Sequence, residues 1–293
     1  MDNNYKKVKQ VLWLILFANF GVALLKIIVG TIINSASMTA DGFHSVSDGT
    51  SNIVGLIGIG LASKPKDKEH PYGHNKFEVI CSLFIGAMLF VLGIKIFMTV
   101  LDRFMHPEEL NITTISLISL IITIIINFFV TIYENKKGKE YDSYILISDS
   151  IHTRSDILIS LGVLISLLLI KIGVPIVIDP IISIIISFFI FRASYEIFKE
   201  SINILLDSAV IDEEQIKNVV NSFTEVKDIH KIRSRGSHND MYVDMHIMIE
   251  PNTSLEQSHA LSHRIEDEIK KKINNKCQVI IHMEPYHKKE NTL

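Results

Sequence analysis

Up to about residue 200, the chain alternates between long apolar runs and short polar segments. Apolar runs of roughly 20 residues or more, the length that a helix needs to cross a bilayer, lie at 10–33, 38–62, 79–101, 112–133, 143–171 and 175–198. An even number of crossings returns the chain to the side on which it started. The pattern therefore predicts six transmembrane helices, with both termini on one side, in a membrane domain covering residues 1–204.

The remaining residues, 205–293, follow a different pattern. Between 241 and 250, apolar residues recur at every second position, which predicts a strand with one buried face. Asp212 with Gln215, and Ser254 with Gln257, have the spacing of helix-capping boxes. The αββαβ order is typical of a small two-layer α+β domain. In order, the predicted elements are a helix after Asp212 that ends near Phe223, strands at 226–235 and 241–250, a helix after Ser254 and a strand at 278–283.

Composition agrees with a membrane domain joined to a polar one. The 293 residues combine 48% hydrophobic residues with a mean hydropathy of +0.31, which is too apolar for an ordinary soluble domain, yet 21% are charged and must lie outside the membrane. The net charge of −3 gives no basic signature, so we expect no nucleic-acid partner. The two cysteines, Cys81 and Cys277, lie in different regions and predict no disulfide framework.

Lysines are distributed unevenly between the two sides of the predicted bundle. Positive charge accumulates in cytoplasmic loops, and here it accumulates before the first run and in the second and fourth loops. The termini and these two loops are therefore predicted to be cytoplasmic, in a multi-pass protein of the cell membrane. The lysines concerned are Lys6, Lys7, Lys9, Lys64, Lys66, Lys68, Lys76, Lys136, Lys137 and Lys139, against Arg103 and Lys171 near the opposite loops.

An octet with the pattern D-x-x-H-x-x-x-D occurs twice, at 41–48 in the second run and at 149–156 in the fifth. Residues three and four apart share one face of a helix. Carboxylates and imidazoles at membrane depth are costly unless they are paired or bind something. Two matching faces therefore indicate one shared cation site. His44, Asp48, His152 and Asp156 supply four N/O ligands, which suit tetrahedral zinc.

Each octet also has a less specific interpretation. A single His–Asp pair inside a helical bundle can belong to a buried structural polar network, although the repetition favours a cation site. The outer members, Asp41 and Asp149, are expected to orient ligands or cap a helix end, not to coordinate the ion directly.

The loop after the second run carries Asp67, His70 and His74. A turn containing Pro71 and Gly73 can bring these three together at the cytoplasmic side, where they could bind a metal. The alternative is a solvated loop whose charges only set the topology.

Histidines also cluster in the C-terminal domain. His230, His246 and His282 each lie on one of the three predicted strands, and Glu284 follows just beyond. They could converge on a second metal site, although in a chain with 12 histidines some clustering is expected by chance. We assign no role to His238 in the turn or to His263 on the last helix.

Taken together, these residues resemble the cation diffusion facilitator family of divalent-metal/proton antiporters. The resemblance covers nearly the whole chain and is most specific in H-x-x-x-D of the fifth run and in D-x-x-H-x-x-G-H-x-K of the loop. It implies a homodimer, a ferredoxin-like cytoplasmic domain at 205–293 and transport by alternating access. It also implies metal ligands at the loop and tail: Asp67, His70, His74, His230, His246, His282, a helix position at His259, and Glu284 where some members carry aspartate.

Efflux of a divalent cation in exchange for protons is the function we predict. A ligand nitrogen cannot hold a proton and a metal together, and the reference imidazole pKa of about 6.5 lies near cytoplasmic pH. Zinc is the expected substrate, because N/O sites bind it more tightly than manganese or iron. Mn²⁺, Fe²⁺, Cd²⁺ and Co²⁺ stay open as alternatives.

Two other classes of protein use similar residues. An intramembrane metallohydrolase would need a general base such as the glutamate of H-E-x-x-H, and neither octet has it; we therefore predict no enzyme activity. A membrane metal sensor or channel would keep the tail but lack obligatory coupling to protons.

Overall fold

In the computed structural model of the protein, the described residues are 2–32, 36–105, 114–175, 177–237 and 240–287. The chain forms two compact units, Met1–Ser201 and Ile202–Leu293. Each unit has its own apolar core.

In the described residues, the first unit consists of helices joined by loops. Five of its helices contain stretches long and apolar enough to cross a membrane, and α2 contributes the shorter apolar stretch Gly49–Ala62. The helices are α1 (Asp2–Ile32), α2 (Ala36–Ala62), α3 (Lys76–Met105), α4 (Thr114–Tyr141), α5 (Tyr144–Lys171) and α6 (Ile178–Leu205).

Several of these helices are longer than the apolar runs that predicted them. The fourth run ends at 133, whereas α4 continues to Tyr141. Similarly, α1 begins at Asp2 and not near residue 10. The reason is that an apolar run marks the part of a helix that fits the bilayer core, while polar residues such as glutamate and lysine extend the same helix beyond it.

Apolar side chains hold the helices together and also cover their outer surface. Leu12 of α1, Ile59 of α2 and Ile145 of α5 pack in one buried cluster. Gly58 allows α2 and α3 to approach closely, because a Cβ atom there would lie 2.5 Å from the Cys81 Sγ. In contrast, Phe17 and Phe129 are 67% and 66% exposed. Such large exposed apolar side chains suit a surface that faces lipid.

The second unit is a helix layer on a three-stranded sheet, which confirms the predicted α+β fold. The sheet order is β1-β2-β3, with β1 and β2 antiparallel and β2 and β3 parallel. The apolar face of β2, predicted from its alternation, packs against Leu261, Ile265 and Ile269 of α8. The elements are α7 (Glu213–Val220), β1 (Val226–Ser237), β2 (Asp240–Ile249), α8 (Leu255–Lys272) and β3 (Gln278–Pro285).

Asp212 and Ser254 are both helix N-caps, as predicted, but among the described residues of this unit only Ser254 forms the predicted capping box. Ser254 and Gln257 make both hydrogen bonds of a capping box at α8. At α7, the Asp212 side chain accepts a hydrogen bond from the Glu214 backbone N–H. That helix ends at Val220, three residues before the predicted end near Phe223, because Val219 and Val220 carbonyls accept bonds from the turn at Ser222 and Phe223.

Candidate metal centres

The fifth helix places His152 and Asp156 one turn apart at a buried position. The His152 Nε2 lies 4.0 Å from an Asp156 carboxylate oxygen. His152 is only 6% exposed, and among the described residues neither of its ring nitrogens has a hydrogen-bond partner. A buried polar group without a partner costs about 1–3 kcal/mol. An imidazole in this position therefore suits a cation ligand.

The other two ligands predicted for this centre are His44 and Asp48. Both positions are helical in α2, but their side chains lie outside the described part of the structure, as does that of Asp41. Asn52, four residues after position 48, donates a hydrogen bond from its Nδ2 to an Asp149 carboxylate oxygen. This hydrogen bond joins α2 to α5. Its donor lies one turn after the octet of α2, and its acceptor, Asp149, is the first residue of the octet on α5.

Asp149 is the centre of a buried hydrogen-bond network. It is 1% exposed, and its partner Asn52 accepts a hydrogen bond of 3.0 Å from Asn19 of α1. Asp149 also contacts Ser51. These contacts hold α1, α2 and α5 together beside His152. Asp149 is therefore placed where it can orient the helices that carry the proposed ligands.

Glu134 of α4 belongs to the same network, although no motif in the sequence indicates it. It is fully buried, accepts a hydrogen bond of 3.2 Å from the Thr153 hydroxyl, and contacts the Asp149 carboxyl group. Glu134 lies one residue beyond the apolar run at 112–133, so the sequence pattern places it in the cytoplasmic loop. The continuation of α4 to Tyr141 brings it inside the bundle instead.

Glu78 of α3 holds the beginning of α5. Its carboxylate accepts hydrogen bonds from the hydroxyl of Ser143, which is the N-cap residue of α5, and from the Ile145 backbone N–H. Glu78 is 6% exposed. A carboxylate at a helix N-terminus accepts hydrogen bonds from free N–H groups and interacts favourably with the positive end of the helix dipole. Glu78 therefore fixes α5, the helix that carries His152 and Asp156, against α3.

We expect Glu78→Ala to destabilise the protein by about 1–2 kcal/mol, the usual contribution of a helix cap. The expected result is a lower midpoint of thermal unfolding in detergent. Glu140→Ala is the matched control, since the Glu140 carboxylate is 47% exposed and pairs with Lys137. Equal midpoints for the two variants would mean that Glu78 does not hold α5.

The loop between α2 and α3 brings its three predicted ligands together. Ligand atoms of Asp67, His70 and His74 lie within 4.8 Å of one another. The two Asp67 oxygens lie 3.2 Å from His70 Nδ1 and 3.4 Å from His74 Nε2. Gly73, with φ of 95°, provides the turn. The hydrogen bond from the His70 backbone N–H lowers the pKa of Asp67, which keeps this carboxylate ionised.

The sheet of the second unit brings together His230, His246 and Glu284, whose ligand atoms lie within 4.8 Å of one another, while the side chain of His282 beside them is 64% exposed. His230, His246 and His282 are neighbours in register across the three strands. The Glu284 carboxylate lies 2.7 Å from His246 Nδ1, 3.2 Å from His230 Nε2 and 3.7 Å from His282 Nε2. The hydrogen bond with His246 lowers the pKa of Glu284, so the carboxylate is ionised beside the imidazoles. We call these four residues the strand cluster.

Within one chain, His259 lies apart from the strand cluster. It is carried by α8, which packs on the face of β2 formed by Met245 and Ile247. His246 alternates with these residues, so it points to the other face of the sheet. His259 instead contacts His263, with ring centroids 4.5 Å apart. His238 lies outside the described residues.

If the strand cluster binds zinc, replacing His230, His246 and His282 by alanine should remove most of the zinc-dependent stability of the 205–293 fragment. A ligand at 100 times its Kd adds about 2.7 kcal/mol. The thermal midpoint, measured with and without Zn²⁺, is expected to rise by much more in the wild-type and control fragments than in the triple variant. His287→Ala, an exposed histidine outside the cluster, is the control. An unchanged zinc-induced rise in the triple variant would exclude the cluster as a zinc site.

Comparison with known proteins adds the decisive observation. Residues 12–206 match the family model described as the cation efflux transmembrane domain, and residues 210–286 match that of the cation efflux protein, cytoplasmic domain. The chain belongs to the cation efflux family, also called the cation diffusion facilitator family. It is therefore a multi-pass membrane protein of a family that transports divalent metal cations out of the cytoplasm, as its motifs predicted.

Individual relatives of this cation efflux protein span nearly its whole length. It is 33% identical to an uncharacterized transporter of Methanocaldococcus jannaschii over 267 residues, which are 89% of this chain and 94% of the relative. It is 29% identical to the manganese efflux system protein MneP of Bacillus subtilis, over 95% of this chain and 96% of that protein. Metal tolerance protein C1 of Arabidopsis thaliana is also 29% identical, over 92% of this chain and 61% of the relative.

Proposed function

We propose that this cation efflux protein exports Zn²⁺ from the cytoplasm in exchange for protons, by alternating access. His44, Asp48, His152 and Asp156 bind the cation within the membrane. The observation that carries the proposal is the environment of His152, which is buried beside Asp156 and whose two ring nitrogens have no hydrogen-bond partner within the described part of the chain. Two imidazole nitrogens and two carboxylate oxygens form a donor set that zinc accepts in tetrahedral geometry.

Charge balance explains why protons would drive the cycle. The two carboxylates of the site neutralise a divalent cation, so the loaded site can be enclosed by the low-dielectric interior of the bundle. When the cation leaves, the site must take up about two protons to regain this neutrality. Imidazole protonation also weakens metal binding, because proton and metal compete for one lone pair. An inward proton gradient would thus favour release of the metal outside.

The arrangement in the cell follows from charge and from the second unit. The lysine-rich segments support a cell-membrane protein with both termini in the cytoplasm. The match to the family's cytoplasmic domain supports a homodimer, with the loop site and the strand cluster binding metal on the cytoplasmic side. The ionised carboxylates of Asp67 and Glu284 would attract cations to these two positions.

Manganese is the second candidate substrate. Two relatives, MneP and MneS of Bacillus subtilis, are named manganese efflux system proteins and are 29% and 24% identical to this chain. Mn²⁺ is a harder ion that prefers oxygen donors and more ligands. Buried carboxyl groups beside the site, those of Glu134 and Asp149, would supply such oxygens.

Competitive uptake into inverted membrane vesicles tests the choice of metal. Vesicles containing the protein are given Zn²⁺ together with Mn²⁺, Fe²⁺, Co²⁺ or Cd²⁺ in turn, and the accumulated metals are measured. We expect Zn²⁺ to displace each of the others at equal concentration. Preferential accumulation of Mn²⁺ would replace zinc by manganese as the substrate, while uptake of no divalent metal would contradict the proposed function itself.

A further inference from the structure

Two carboxyl groups that are not among the four proposed transport ligands lie in contact inside the helical bundle. Glu134 of α4 is 0% exposed and Asp149 of α5 is 1% exposed, and their side chains contact each other. Asp156, further along α5, adds negative charge nearby. Two buried carboxylates in contact repel each other, so they cannot both stay ionised without a positive partner.

Hydrogen bonds satisfy only part of this carboxyl pair. The Thr153 hydroxyl lies 3.2 Å from Glu134 Oε2 and 3.1 Å from the Asp149 backbone carbonyl, so its one proton serves two acceptors. The Asn52 amide donates to Asp149 Oδ2, and Ser51 contacts the same carboxyl group. Glu134 Oε1 and Asp149 Oδ1 are buried, and neither has a hydrogen-bond partner among the described residues. Each carboxyl group thus keeps one oxygen available to a ligand.

The described side chains do not balance the charge of the pair. Within this part of the chain, neither Glu134 nor Asp149 forms an ion pair with a lysine or an arginine. His152 lies near Asp149, but neither of its ring nitrogens makes a hydrogen bond there. Buried carboxyl groups in such a position either hold a proton or bind a cation.

The carboxyl pair lies on one side of the proposed transport ligands. Asp149 precedes His152 by three residues, so the two share a helix face and lie about 4.5 Å apart along the axis. Helix α4 ends at Tyr141 and α5 begins at Tyr144. The pair therefore lies between these helix ends and His152, on the side that the lysine-rich loop assigns to the cytoplasm. A cation coming from that side would reach the pair before it reaches His152.

We propose that Glu134 and Asp149 form an entry site, an all-oxygen position that the divalent cation occupies before it moves to the four-ligand centre. Two carboxylates carry the charge that neutralises a divalent cation. Oxygen donors suit Mn²⁺, and the entry site lacks the imidazoles that zinc favours. It should therefore hold Zn²⁺ only weakly and release it to the centre. The direction of movement rests on the proposed export, whereas binding at the entry site does not require transport.

Carboxyl labelling resolved by mass spectrometry tests the entry site in the full-length protein in detergent. Dicyclohexylcarbodiimide reacts with protonated carboxyl groups in apolar surroundings, and a bound metal prevents the reaction by replacing the proton. We expect Mn²⁺ to protect Glu134 from labelling. Glu78 is the control, because it is also buried but caps α5, so Mn²⁺ should not change its labelling. Labelling of Glu134 that Mn²⁺ leaves unchanged would overturn the proposal, since the pair would then hold only a proton.

Variants separate the entry site from the transport centre. In Asp149→Asn, the Mn²⁺ concentration that half-protects Glu134 should rise by about tenfold or more, because the ion loses one of two buried charges. Glu140→Gln, at an exposed position on the same helix as Glu134, should leave it unchanged. In Asp156→Ala, Mn²⁺ should still protect Glu134. Protection that is lost in Asp156→Ala would overturn a separate entry site, whereas protection in a protein that transports no metal would contradict only the proposed function.

Metal uptake into proteoliposomes provides a second measurement. Glu134→Gln should raise the Zn²⁺ concentration for half-maximal uptake by about tenfold or more. The maximal rate per folded protein should change much less, since the four-ligand centre is intact. A purely structural role would instead lower the folded yield and leave the half-maximal concentration unchanged. A half-maximal concentration equal to that of Glu140→Gln would overturn the entry site.

Discussion

Asp156→Ala is expected to abolish metal transport in a protein that still folds. Asp156 supplies one of four proposed ligands and half of the negative charge that balances the cation. Removing one partner of a buried charge pair costs about 3–5 kcal/mol, and the same free energy lost from metal binding would lower the affinity by about 10²- to 10⁴-fold. The side chain is 19% exposed and lies 4.0 Å from the His152 Nε2. It therefore lines the polar site and contributes little to the apolar packing.

Reconstituted proteoliposomes provide the measurement for Asp156→Ala. Metal uptake is followed with an enclosed fluorescent indicator and normalised to folded protein, judged by size-exclusion chromatography. Glu196→Ala is the control, because the Glu196 carboxylate on α6 is 56% exposed and pairs with Arg192. Uptake by Asp156→Ala at a rate close to that of the control would remove Asp156 from the transport site.

His44→Asp is expected to change which metal is carried. The substitution keeps a donor at the same helical position but exchanges a nitrogen for an oxygen. Nitrogen-containing tetrahedral sites favour zinc, whereas oxygen-rich sites suit harder ions such as Mn²⁺. We expect the preference for Zn²⁺ over Mn²⁺ or Cd²⁺ to fall by about tenfold or more, the effect of roughly 1.4 kcal/mol.

The same variant should also respond less to pH. It lacks one of the two proposed ligand nitrogens at which a proton competes with the metal, and imidazole is the side-chain type that changes charge in the physiological pH range. Zinc release should therefore vary less steeply between about pH 6 and 7.5. Competition between paired metals in vesicles, repeated across this range, measures both effects. If His44 only makes a hydrogen bond to a neighbouring helix, the variant will give less folded protein with an unchanged metal order and pH profile.

Regular periodicity made most of the fold predictable. Runs of about 20 apolar residues predicted the helices of the first unit, and the alternation of Met241, Val243 and Met245 predicted which face of β2 is buried. The order of strands and helices in the second unit followed from local capping and turn residues. These features depend on residues that are close together in the sequence. One amino-acid sequence is therefore enough to predict them.

The residues that were missed depend on contacts distant in sequence. Glu78 caps a helix 65 residues further along, at Ser143, and nothing near Glu78 indicates that role. The sequence pattern places Glu134 in a loop because the apolar run ends just before it, whereas α4 continues to Tyr141.

Proton movement during metal transport tests the central claim most directly. Proteoliposomes containing the wild-type protein and an enclosed pH indicator are given Zn²⁺ outside, with the potential held at zero by potassium and valinomycin. We predict that zinc enters while protons leave, that an imposed pH gradient drives zinc uptake, and that Asp156→Ala shows neither response. Zinc entry at the same rate with and without a pH gradient, and with no movement of protons, would contradict the account and indicate a channel.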